Sequence, residues 1–137
     1  MNEKTKGILL VAGAIVLAVV FVMFGAGKFM DPAKWADKFT AWGIPAWFVP
    51  VSGALEIAGA VGLLIPVLRG PAGLGLASFM IGAVTVHVAH AEIGMIFVAG
   101  AILAGSAAVG WLRLPETMAF FNRGVAGQQK TVLDRTT

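Results

Sequence analysis

Four apolar runs, each about 20 residues long, dominate the chain at about 7–28, 49–68, 71–89 and 93–112, with short polar breaks between them. A bilayer's hydrocarbon core is about 30 Å thick and takes about 20 apolar residues to cross as a helix. The pattern therefore predicts four transmembrane helices. The first run is uncharged from Gly7 to Gly27 and ends at Lys28, the last carries no charge, the second holds only Glu56, and the third holds only His87. Pro66, Gly70 and Pro71 separate the second run from the third, and His90, Ala91 and Glu92 link the third to the fourth. Links this short favour antiparallel neighbours. The expected fold is all-α: an up-down-up-down four-helix membrane bundle. The first run is longer than the apolar region of about 7–15 residues in a secretory signal, so it reads as a retained span.

Between the first two runs the pattern changes. Asp31 is a favoured N-cap and Pro32 suits a first helical turn. Trp35, Phe39 and Trp42 then recur on one helical face, while Lys34, Asp37 and Lys38 take the other. Gly43 and Pro45 end the segment. A short helix over about 32–42 is expected, lying in the membrane interface with its aromatics among the headgroups, and Trp47 continues that belt. A lid over a substrate is the alternative use of the same face. Residues 113–137 are expected to form a cytoplasmic tail, with a short amphipathic helix over Pro115–Arg123 and a loose segment from Gly124 onward.

Composition narrows the class. The chain has 137 residues, 58% hydrophobic and 12% charged, with mean hydropathy +0.88, against about 25% charged in soluble domains. One membrane domain fits; a soluble monomer does not. The net charge of +3 comes from scattered Lys and Arg with no basic stripe, which removes nucleic acid as a partner. The same charges orient the spans. Lys4, Lys6, Arg69, Arg113, Arg123, Lys130 and Arg135 fall on one side, and Lys28, Lys34 and Lys38 on the other. The positive-inside rule then puts both termini in the cytoplasm. With no Cys and no Tyr, thiol redox cycling, thiolate metal sites and phenol relays are excluded. Small residues spaced four apart, such as Ser78 and Gly82 or Ala101 and Gly105, suit close helix packing in lipid.

Ionisable groups inside a span are costly and each needs a role. Glu56 lies about 10 Å into the second run at about 1.5 Å per residue. The expected topology brings Lys28, Glu56, His87, His90 and Glu92 to one level. A structural reading pairs Glu56 with Lys28. A chemical reading makes Lys28, Glu56, His87 and His90 a proton relay or the holder of a quinone head group. A metal ion held by Glu56, His87 and His90 is a weaker alternative. A haem with two axial His ligands from one chain is excluded, because both histidines sit on the same helix.

The run Phe24-Gly25-Ala26-Gly27-Lys28-Phe29 closes the first span, Gly43-Ile44-Pro45 follows the amphipathic segment, Glu56 precedes Gly62-Leu63-Leu64, and His87 ends the third span. This order resembles the DoxX-like family of small bacterial four-span proteins over roughly residues 8–112. The family's namesakes include a membrane subunit of a thiosulfate:quinone oxidoreductase, and some members act with partner redox proteins in oxidative-stress defence. The resemblance implies a bacterial inner-membrane protein tied to quinone or sulfur redox chemistry, with Lys28, Glu56 and His87 as the positions that matter. Related four-helix reductases of the vitamin K epoxide type use paired cysteines, which this chain lacks. Three functions stand: a redox-associated subunit that binds a quinone or small sulfur compound and works with a redox partner protein; a small proton-coupled transporter using Glu56; and a non-catalytic scaffold in the bilayer.

Overall fold

The computed structural model describes residues 1–136. It contains five helices and, among the described residues, no strand: α1 (Glu3–Met30), α2 (Pro32–Ala41), α3 (Phe48–Leu64), α4 (Arg69–Ala89) and α5 (Ile93–Thr136). Three of them, α1, α4 and α5, are long and apolar enough to cross a membrane. The fourth apolar helix, α3, has 17 residues and rises about 26 Å at about 1.5 Å per residue.

Apolar side chains cover these helices on nearly every side. Ala14, Leu17, Phe21, Leu63, Leu76 and Val109 form the buried core, yet Ile8, Val16, Met23, Phe97 and Trp111 lie exposed on the outside. A helix that is apolar all round needs an apolar surround, and lipid supplies it.

The helix limits follow from local chemistry. The second apolar run is expected to stay helical to about 68, but α3 stops at Leu64. Ile65 precedes Pro66 and is driven into the extended region, at φ −88° and ψ 115°. Arg69 then replaces lost helical donors: its Nε donates to the Leu63 carbonyl at 2.8 Å and its Nη2 to Leu64 at 3.4 Å. Pro71 sits inside the first turn of α4, where a missing N–H leaves nothing unsatisfied. The tail also departs from expectation. In place of a separate helix and a loose end, α5 runs unbroken through Pro115 to Thr136. Met118, Ala119, Ala126, Gln128, Gln129 and Lys130 are all good helix formers. The Thr117 hydroxyl fixes the stretch after the proline by donating to the Val67 carbonyl at 2.7 Å.

Glycines set where the helices cross. A Cβ on Gly25 would meet the Gly53 carbonyl at 2.8 Å, so α1 and α3 touch backbone to backbone there. A Cβ on Gly73 would meet the Gly110 Cα at 2.7 Å, which makes the same contact between α4 and α5. The two pairs meet each other where Leu76 fills the space over Gly59 and Ala72 that over Gly62. Arg69, Gly70, Arg113 and the Gly7 carbonyl gather at one end of the assembly. Toward the other end the two pairs separate, and the gap between them is the candidate site.

Candidate functional site

The separation leaves a cavity of about 390 Å³ lined by all five helices, within the size range of small-molecule sites, about 300–1,000 Å³. Its walls are apolar: Phe21 and Phe24 from α1, Phe79 and Ala83 from α4, Ala99 and Ile102 from α5. Its polar groups gather mainly at one end.

Lys28 and Glu56 meet there. The Gly25–Gly53 crossing lies less than one turn from both residues, so close backbone approach brings their side chains together. Lys28 Nζ donates to Glu56 Oε2 at 2.6 Å, with the residues 4% and 6% exposed. The ammonium also reaches the Phe24 carbonyl at 3.5 Å and sits 4.7 Å from the Trp35 ring centroid. Ser52, one turn before Glu56, is fully buried on the same wall and donates to its own helix at Val49.

The α4–α5 turn positions His87. Ala91 adopts a left-handed φ of 54°, the Glu92 N–H donates to the His87 carbonyl at 3.0 Å, and the Ala91 N–H to Val88 at 3.2 Å. This is a Schellman closure with alanine where glycine is usual. It sends the chain back so that Glu92 Oε2 lies 2.6 Å from His87 Nδ1. Trp42 Nε1 donates to the other Glu92 oxygen at 3.3 Å, and the Trp42 and His87 rings stack edge-on at 5.4 Å. One carboxylate thus fixes both a histidine and the end of α2. With Nδ1 committed, Nε2 is the ring nitrogen left for a ligand.

The hydrogen bond to His87 holds the Glu92 carboxyl below the ordinary carboxylate range; Trp42, Lys38 and the His87 charge add to the effect against a smaller opposing desolvation. A lowered pKa means that the Glu92 contacts are intact above the ordinary range and are lost as pH falls through the folded-state value. Acidification below that range is therefore expected to free Trp42 and shift its fluorescence, while Glu92→Gln, which cannot titrate, shows no such step. The same step in the variant would show that another group is responsible.

The sequence-expected residues divide. Lys28, Glu56 and His87 all line the cavity. His90 does not: it is exposed, with Nδ1 2.9 Å from the Val86 carbonyl of its own helix. Among the described residues no group of three or more His, Asp or Glu is placed to hold a metal ion, so Glu56, His87 and His90 are not gathered as ligands. Trp35, Phe39 and Trp42 cover the cavity, Phe39 being 6% exposed, whereas Trp47 is 67% exposed. Lys38, read from sequence on the opposite face of α2, also lines the cavity and lies 4.8 Å from the Trp42 ring centroid. Sequence reasoning did not single out Phe79, Ala83 or Ser52. The signal was available in their spacing, since Phe79 and Ala83 precede His87 by eight and four residues and Ser52 precedes Glu56 by four.

No curated protein and no solved structure gives a significant match to the chain. A family model does: that of the DoxX-like family matches residues 9–109, from within α1 to within α5, and takes in Lys28, Glu56 and His87. The chain therefore belongs to the DoxX-like family.

Proposed function

We propose that the protein is a redox-associated inner-membrane subunit whose cavity binds the head group of a quinone. The observation that carries this reading is an apolar, aromatic-walled cavity with hydrogen-bonding groups concentrated at one end. A quinone head is a flat apolar ring with carbonyl acceptors, and it needs such a combination. Lys28 has three N–H donors, of which Glu56 and Phe24 take two. With its Nδ1–H given to Glu92, His87 presents Nε2 as an acceptor for a hydroxyl of the reduced, quinol form of the head, and Phe21, Phe24 and Phe39 offer ring faces and edges.

The topology that goes with this reading has α1, α3, α4 and α5 crossing the bilayer up and down as a four-helix bundle. Both termini lie in the cytoplasm, and α2 lies in the outer interface. The site then sits at the outer level, with Glu92 between His87 and water. Bound quinone supplies two-electron, two-proton chemistry. The chain's own residues bind and orient the ring, exclude water, and offer His87 and Glu92 as the route for a proton. With no cysteine in the chain, the other half of the electron exchange belongs to a partner protein. The Lys28–Glu56 pairing supports ligand binding over proton-coupled transport, because it occupies the one carboxylate that an exchanger would leave free.

The test is titration of the purified protein in nanodiscs with a tailless ubiquinone analogue, read by quenching of Trp35 and Trp42. Saturable quenching is expected, and Ala83→Phe, which fills the cavity away from the ion pair, is expected to weaken it by about tenfold or more. A wild-type protein without saturable quenching would overturn the proposal.

A further inference from the structure

We infer that the cavity is entered sideways from the bilayer, through a gap between α3 and α4 edged by Ser78 and Gly82, and that its ligand is a molecule whose long apolar tail stays in the lipid. The inference rests on the quinone-site reading and specifies the ligand class and its route.

The helices α3 and α4 touch at the Gly59–Leu76 and Gly62–Ala72 contacts. Gly82 lies six residues beyond Leu76, about 9 Å further along the helix. There a Cβ would meet nothing within 4 Å, yet Gly82 and Ser78 both line the cavity while being exposed. Of the α4 residues that line the cavity, the two exposed ones are thus a glycine and a small hydroxyl residue, and Ser78 turns its hydroxyl back to the Leu74 carbonyl at 3.0 Å. Neither offers a side chain large enough to close the gap.

The other boundaries are better covered. From α1 and α5 the lining includes the larger side chains Phe24 and Val98. Toward the end of the assembly, Trp35, Phe39 and Trp42 lie across the cavity, and Trp42 is tied down by Glu92. The outer surfaces of both helices at this level carry exposed apolar side chains, Leu55 next to Glu56 on α3 and Ile81 next to Gly82 on α4, at 50% and 57%. An apolar tail leaving the cavity there passes onto lipid-facing surface without crossing a polar layer. A ligand held by its head at Lys28 and His87 can therefore keep its tail in the bilayer.

The test measures association rates in nanodiscs for two probes, a long-tailed ubiquinone dissolved in the lipid and its tailless benzoquinone analogue added from water. It compares the wild type, Gly82→Phe and Gly75→Phe, the control being an exposed glycine two turns earlier on α4 that does not line the cavity. Gly82→Phe is expected to slow the long-tailed probe by about tenfold and the smaller tailless probe by less, with Gly75→Phe slowing neither. An unaffected long-tailed probe in Gly82→Phe overturns the inference, as does equal slowing of that probe by Gly75→Phe. Failure of the wild type to bind the tailless probe is a separate result: it overturns the quinone-site reading itself.

Discussion

Lys28→Met is expected to destabilise the protein by about 3–5 kcal/mol, because it leaves the Glu56 carboxylate buried without a counter-charge. The two groups lie 2.6 Å apart and are almost completely excluded from solvent, and nothing else among the described residues donates to Glu56. In lipid the penalty cannot be relieved by water, and the Gly25–Gly53 backbone contact stops α1 and α3 from parting to admit any. Glu56→Gln removes the charge from the other side and strands the ammonium, so it too is expected to lose stability. The double variant Lys28→Met/Glu56→Gln should recover much of the loss, since no unpaired charge then remains. Reversible unfolding in mixed micelles of increasing denaturing detergent measures all three. Strictly additive losses in the double variant would show that the residues act separately and would remove the pair as the link between α1 and α3.

Gly110→Leu should have an effect of similar weight by a different mechanism. A Cβ at this position would lie 2.5 Å from the Leu74 backbone nitrogen and 2.8 Å from the Gly73 carbonyl carbon. Those are main-chain atoms of a helix and cannot rotate away as a side chain can. Helices in lipid are held by close packing rather than by exclusion from water, so pushing α4 from α5 costs the close backbone contact at Gly73 and Gly110, by about 1–3 kcal/mol or more. Gly124→Leu is the matched control, on the same helix with nothing within 4 Å. It is expected to be neutral or to gain about 0.5–1 kcal/mol from relief of glycine's conformational freedom. Equal effects of the two leucines would mean that the Gly73–Gly110 contact contributes nothing special. The displaced α4 also carries His87, so Gly110→Leu should weaken quinone-analogue binding although it lies far from the cavity.

Several features were legible in the chain before any coordinates. Apolar runs of span length gave the helical class directly, because a bilayer leaves no other use for them. Asp31, Pro32 and Gly43 marked α2, and the structure has the Asp31 carboxylate accepting from the Lys34 N–H at 3.2 Å and Gly43 at φ 75°. Lys28, Glu56 and His87 stood out because a charge or imidazole within an apolar run demands a partner. The continuous α5 was not legible. Pro115 and the polar stretch after it signal a break locally, and only contacts such as Thr117 with Val67 make helix the better outcome.

What the sequence determines by itself is whatever depends on neighbours along the chain: the presence and starting points of apolar helices, the N-cap of α2, and the three residues at which polarity intrudes into an apolar run. What the tertiary structure alone decides depends on residues far apart in sequence. Lys28 pairs with Glu56 because two glycines let α1 and α3 cross beside them. His87 and His90, three residues apart, take different roles because the α4–α5 turn swings Glu92 to one and not the other. Trp35, Phe39 and Trp42 cover the cavity because the two helix pairs separate beneath them. Helical periodicity fixes which residues share a face; only packing fixes what that face meets, since contact energies between helices in lipid depend on approach distances that no single stretch of sequence contains.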